Sequence, residues 1–231
     1  MNQIVTEGII LARTDYGEAD RILTLLTPDQ GKLRLLAKGV RRVKSKLAGG
    51  IELFSVSTIT FVRGRGEIGT LVSTRLIKHY GHIVKDLDRT MLGYELIKQL
   101  NRATEDEVEP DYFDLLQQAF EALDDPTLPL PLVQLWFVAG LLRVGGHSPN
   151  LQTDVNGAPL HPGQQYIFDT ESMAFTAHPD RGPYGANHIK LLRLAFAGQP
   201  PKRLAVIGDA TDFATACLSL VQAMARSYIT S

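Results

Sequence analysis

One cysteine, Cys217, stands in a chain of 231 residues, which excludes an internal disulfide framework and any multi-cysteine metal site. Its scarcity suits a reducing compartment. No apolar run approaches membrane-spanning length. The N-terminus also lacks the basic segment and apolar stretch of a signal peptide, so a soluble cytoplasmic protein with no membrane partner is expected. Three catalytic signatures are missing: the phosphate-loop pattern, His-Glu-x-x-His and Gly-x-Ser-x-Gly. Carboxylate pairs such as Asp86/Asp88 and Asp124/Asp125 fall at helix ends or turns, where acids are ordinary, so no catalytic residue is nominated and no enzyme is expected. Aromatics are few at 7%, with a single tryptophan. The 44% hydrophobic content nevertheless excludes global disorder.

Between Lys32 and Gly50 there is no acid at all, although the chain as a whole carries a net charge of only -1. Residues 1–80 hold 13 Lys/Arg against 7 Asp/Glu, and residues 81–231 hold 11 against 18. The N-terminal third is therefore electropositive and the remainder acidic. Within that third, alternation puts Leu33, Leu35 and Ala37 on one face of a strand and Lys32, Arg34 and Lys38 on the other. After Gly39 the alternation stops, and a loop adds Arg41, Arg42, Lys44 and Lys46. A charge run is usually a solvated face, but this one returns to apolar Ile51, Leu53 and Phe54 and is thereby tied to a core. Such a surface calls for a polyanion, and phosphate is the obvious one.

Taken in order, residues 4–80 read as five short strands: Ile9 to Thr14, Arg21 to Leu26, the Lys32 strand, Phe54 to Arg63 and Ile68 to Lys78. With no helical period among them they suit a five-stranded OB-fold barrel, so the fold class is α+β, a barrel at 1–80 followed by a mainly helical domain at 81–231. Gly64, Gly66 and Gly69 match G-x-G-x-x-G, but a β-branched strand follows rather than a helix, so the match reads as a glycine-rich hairpin. The helical period begins near Gly81 with Ile83, Leu87, Met91, Ile97 and Leu100 as the apolar face. Further helices are expected at Asp111 to Leu123, Pro131 to Val144, His188 to Ala197 and Thr211 to Tyr228. Trp136 and Cys217 read as packed core residues of their helices. Residues 146–185 form a finger-like insert with one hairpin strand at Gln165 to Phe168.

Thr6-Glu7-Gly8-Ile9-Ile10-Leu11, Tyr16-Gly17-Glu18-Ala19-Asp20-Arg21-Ile22-Leu23, Gly31-Lys32-Leu33, Ala37-Lys38-Gly39-Val40-Arg41-Arg42 and Gly49-Gly50-Ile51-Glu52-Leu53-Phe54 together resemble the RecO family of bacterial recombination mediators. The resemblance is specific over residues 1–80 and architectural beyond. It implies a DNA repair and recombination mediator that binds single- and double-stranded DNA without sequence specificity and anneals complementary strands. It also implies help in loading the recombinase onto strands covered by single-stranded-DNA-binding protein, with RecR and that protein as partners in the cytoplasm, on the nucleoid. Carried across, the nucleic-acid surface falls on Lys32, Arg34, Lys38, Arg41, Arg42, Lys44 and Lys46. Arg13, Arg63 and Arg65 are added as neighbours on the barrel.

Many members of that family carry a four-cysteine zinc finger in the insert, and here Leu151 to Tyr184 has no cysteine, so no cofactor is expected. His147, His161, His178, Asp154 and Asp169 remain there, while His79 and His82 are spaced like a metal pair nearer the barrel. Of the barrel aromatics available for stacking on bases, Tyr16, Phe61 and Tyr80, none dominates, and contact with the phosphate backbone is expected to prevail. The alternative is an OB-fold module that binds RNA, or a scaffold without annealing activity.

Overall fold

The computed structural model describes residues 2–43, 45, 47–64, 66–104, 109–178 and 182–228. Five strands, β1 (Gln3–Tyr16), β2 (Asp20–Leu26), β3 (Lys32–Ala37), β4 (Ser55–Val62) and β5 (Ile68–His79), close a barrel in the order β1-β2-β3-β5-β4. Among the described strands of the barrel, only β3 and β5 pair in parallel. β1 serves both neighbours because it is long and irregular. Its first half pairs with β4, and a register shift between Ile10 and Ala12 turns its second half onto β2. Ile10, Leu23, Leu25, Leu35, Ala37, Ile59, Phe61 and Leu71 fill the interior.

The compact units divide at Asp124/Asp125, so the barrel shares its unit with two helices, α1 (Leu87–Ala103) and α2 (Pro110–Asp124). Asp86 caps α1 by accepting from the Arg89 amide at 3.1 Å, and Asp124 accepts from the amides of His82 at 2.7 Å and Ile83 at 3.3 Å. These acids do the end-of-helix work expected of them. The buried face of α1 differs from the expected one. Leu92, Gly93, Leu96, Ile97 and Leu100 are buried with Arg89, whereas Leu87 and Met91 stand out in solvent. Gly93 decides this, because an added Cβ would lie 2.5 Å from the Phe54 ring, so only glycine lets the helix settle on that ring. Arg89 completes the join by donating from Nη1 to the Leu123 carbonyl at 2.9 Å.

In the second unit α3 (Leu130–Val144) is buried nearly all round, and Trp136 packs inside it with Nε1 donating to the Gln199 carbonyl at 2.7 Å. α4 (Ala186–Phe196) and α6 (Ala210–Tyr228) lie where the sequence puts helices, with a four-residue turn of helix, α5 (Pro201–Leu204), between them. The insert contributes a hairpin, β6 (Tyr166–Asp169) and β7 (Ala174–Ala177). Phe175 is its hub, meeting Tyr166, Phe168 and Tyr184 edge to face. Among the described residues no helix is long and apolar enough to cross a membrane.

Candidate nucleic-acid interface

β3 delivers the basic stretch to one rim of the barrel, and the loop that leaves it is held there by the neighbouring β1–β2 turn. Gly39, at φ 62°, bends the chain, and its amide donates to Asp20 Oδ1 at 2.7 Å. The Arg41 amide donates to the Ala19 carbonyl at 2.9 Å. Val40 is buried in the barrel core, Leu47 packs against it, and Thr74 Oγ1 donates to the Leu47 carbonyl at 3.2 Å. The expected tie to a core is therefore made at several points along the loop.

Arg34, Lys38 and Arg42 are exposed, and among the described residues their side chains make no ion pair. Arg42 lies against Gly39, where an added Cβ would be 3.6 Å from its Cδ. Val43 at the loop tip is fully exposed. Arg41 is engaged on one side: its Nη1 lies 3.5 Å from Asp15 and donates to the Gly17 carbonyl at 3.4 Å. Asp15 accepts from Arg21 Nε at 2.8 Å, and that hydrogen bond, with Arg41 nearby, holds its carboxyl below the usual range. The rim thus carries an acid that the charge run, counted along the sequence, does not contain. Asp15 and Asp20 are the participants that sequence reasoning missed. The only signal for Asp20 was its place in the Tyr16 to Leu23 motif.

Lys32 points to the expected face but is occupied. In the ladder it sits opposite Leu26, which sits opposite Ile9, and both are fully buried on the outer wall of the barrel. Its Nζ donates to the carbonyls of Asn101 at 2.9 Å and Thr104 at 2.6 Å, where α1 ends. Helix termini leave carbonyls without partners, and a cation is the natural cap for them. Lys32 therefore closes a helix.

Of the outlying arginines, Arg13 is paired and Arg63 stands at the far end of β3. Arg13 pairs in register with Leu23, on the row that points inward, and its Nη1 lies 3.4 Å from Glu52 at the barrel mouth. Arg63 donates to Gln30 Oε1 at 2.8 Å beside the β2–β3 turn. That turn is at the opposite end of β3 from Lys38, roughly 20 Å away for a six-residue strand. Lys44, Lys46 and Arg65 lie outside the described residues. Phe61 and Tyr80 are buried, at 1% and 0% exposure, and are unavailable for stacking.

Several of the insert's candidate ligands are engaged by other partners. Asp154 accepts from the amides of Asn156 and Ala158, and Asp169 from Ser172 and the Glu171 amide. The His147 ring stacks on Tyr228. Among the described residues no three His, Cys, Asp or Glu side chains gather in a metal-binding group. His82 Nδ1 lies 3.3 Å from Asp124. Cys217 is buried, and that burial pushes its thiol up to about 12, which makes it unreactive.

Two family models cover most of the chain. Residues 1–80 match the N-terminal domain of recombination protein O, and residues 85–206 match its C-terminal domain. Among curated proteins, the DNA repair protein RecO of Dehalococcoides mccartyi strain 195 is 32% identical over 194 residues, spanning 81% of this chain and 76% of its own length. The RecO protein of Syntrophus aciditrophicus is 28% identical over 93% of this chain and 88% of its own. That of Listeria innocua is 29% identical over 84% and 77%. With both halves matched in order, and the barrel and its basic rim in place, the chain belongs to the RecO family.

Proposed function

We propose that this chain is a DNA repair and recombination mediator that binds single- and double-stranded DNA without sequence preference. It anneals complementary strands and helps place the recombinase on strands covered by single-stranded-DNA-binding protein, with that protein and RecR as partners. It acts in the cytoplasm on the nucleoid, with neither a cofactor nor catalytic chemistry of its own. The observation that carries the reading is the rim where Arg34, Lys38 and Arg42 stand exposed on a strand and loop tied to the barrel core. Cations held in this way neutralise phosphates and release counterions, which gives affinity with little dependence on base sequence. Screening of repulsion between two strands held with their bases free is what annealing requires.

The test is annealing of complementary labelled oligonucleotides by the full chain, with and without single-stranded-DNA-binding protein on one strand. The account expects faster annealing than the spontaneous reaction, and weaker annealing when Arg34, Lys38 and Arg42 are replaced by alanine. Competition with RNA of equal length separates the DNA reading from an RNA-binding one. No acceleration, or preferential capture of RNA, would overturn the proposal.

A further inference from the structure

Residues 1–80 contain four aromatic side chains, and the fold hides three of them: Phe54, Phe61 and Tyr80 are at most 1% exposed. Tyr16 is 55% exposed. It is the last residue of β1, pairs with Asp20, and precedes the turn that the basic loop grips. Asp20 receives the Gly39 amide at 2.7 Å, the Gly17 carbonyl receives Arg41 Nη1 at 3.4 Å, and the Ala19 carbonyl receives the Arg41 amide at 2.9 Å. The turn that follows Tyr16 is thereby anchored to the start of the loop that carries Lys38, Arg41 and Arg42. Among the described residues no aromatic ring or cation lies over it. The next residue, Gly17 at φ 57°, adds no side chain to crowd it.

An aromatic face left open at the rim of an OB-type barrel, with Lys38 and Arg42 exposed beside it and, among the described residues, in no ion pair, has the two parts that hold unpaired nucleic acid: a stacking surface and a phosphate grip. The geometry points to Tyr16 as the base-stacking platform of this rim, which seats one unpaired base of single-stranded DNA while Lys38 and Arg42 hold the flanking phosphates. This deepens the DNA-binding reading and rests on it. Every base has a π face, so the contact is indifferent to sequence, yet bases already stacked in a duplex cannot use it. Tyr16 therefore selects single strands over duplex.

The experiment titrates the full chain against a labelled oligothymidine and against a duplex of the same length, over a series of salt concentrations. It uses wild type, Tyr16→Leu and Tyr16→Phe; Leu keeps apolar bulk at the position and Phe keeps the ring, so folding and stacking are told apart. The expected result is single-strand affinity roughly 5- to 100-fold weaker for Tyr16→Leu, an unchanged salt slope, unchanged duplex affinity, and wild-type behaviour of Tyr16→Phe. If Tyr16→Leu binds the single strand like wild type, or if it weakens duplex equally, the stacking role is overturned while the DNA reading stands. If Tyr16→Phe loses as much as Tyr16→Leu, the ring face is not the contact and the inference fails. Should wild type bind neither DNA at low salt, the DNA reading falls and this inference with it.

Discussion

Replacing Lys32 by methionine separates the two roles that a cation on β3 can have. The methionine keeps the apolar stem but removes the ammonium, leaving the carbonyls of Asn101 and Thr104, 2.9 and 2.6 Å from Nζ, without that donor at the end of α1. Hydrogen bonds from a charged donor contribute about 1.5–3 kcal/mol each, and water reaching a half-buried site recovers part of this. A net loss of about 2 kcal/mol is expected. With a urea dependence of about 2 kcal/mol per molar, the unfolding midpoint followed by far-ultraviolet circular dichroism should fall by about 1 M. DNA binding by the folded variant should keep the wild-type salt slope. A midpoint within about 0.2 M of wild type, or a slope shallower by about 0.7 as for a lost phosphate contact, would refute the assignment of Lys32 to the helix end.

Other substitutions test the rim and its supports. Asp15→Asn removes the acid between Arg21 and Arg41, so single-strand affinity at low salt should rise, and an anisotropy titration showing weaker binding would count against Asp15 as a restraint on Arg41. Gly93→Val forces a side chain into the Phe54 ring and should cost about 1–3 kcal/mol in urea unfolding, whereas a neutral result would mean that α1 shifts freely on the barrel. His188 is held below its ordinary pKa by burial while its Nδ1 accepts the Gly185 amide. The unfolded chain therefore binds the extra proton first, so stability should fall as pH drops below about 6.5 and level off once the folded imidazole is also charged. Thermal melts of His188→Gln should lose that portion of the pH dependence, and an unchanged profile would assign it elsewhere.

The barrel was legible because its signal is local. Alternation marks β2 and β3 within single runs, and the turns at Gly17 and Gly31, both at positive φ, punctuate them. The identity of the exposed rim was legible for the same reason: Arg34 and Lys38 face out wherever Leu35 and Ala37 face in. What stayed hidden depends on meetings between distant segments. Lys32 finds its partners 69 and 72 residues away, and nothing in its own neighbourhood separates it from Arg34. The face of α1 was misread because Leu87 and Met91 keep a good apolar period, while the true contact is set by the absence of a side chain at Gly93 opposite Phe54. Arg63 looked like a neighbour of the basic run, and only the length of β3 sets it apart.

DNA binding as proposed requires that the exposed rim cations grip phosphate. Fluorescence anisotropy of a labelled single-stranded oligonucleotide, titrated with wild type and with the Arg34→Ala, Lys38→Ala, Arg42→Ala triple variant over a range of salt, tests it most directly. The account predicts that wild type binds and that the magnitude of the log–log salt slope falls by about 0.7 for each contact removed, up to about 2 for the three. A triple variant with the affinity and slope of wild type would contradict it.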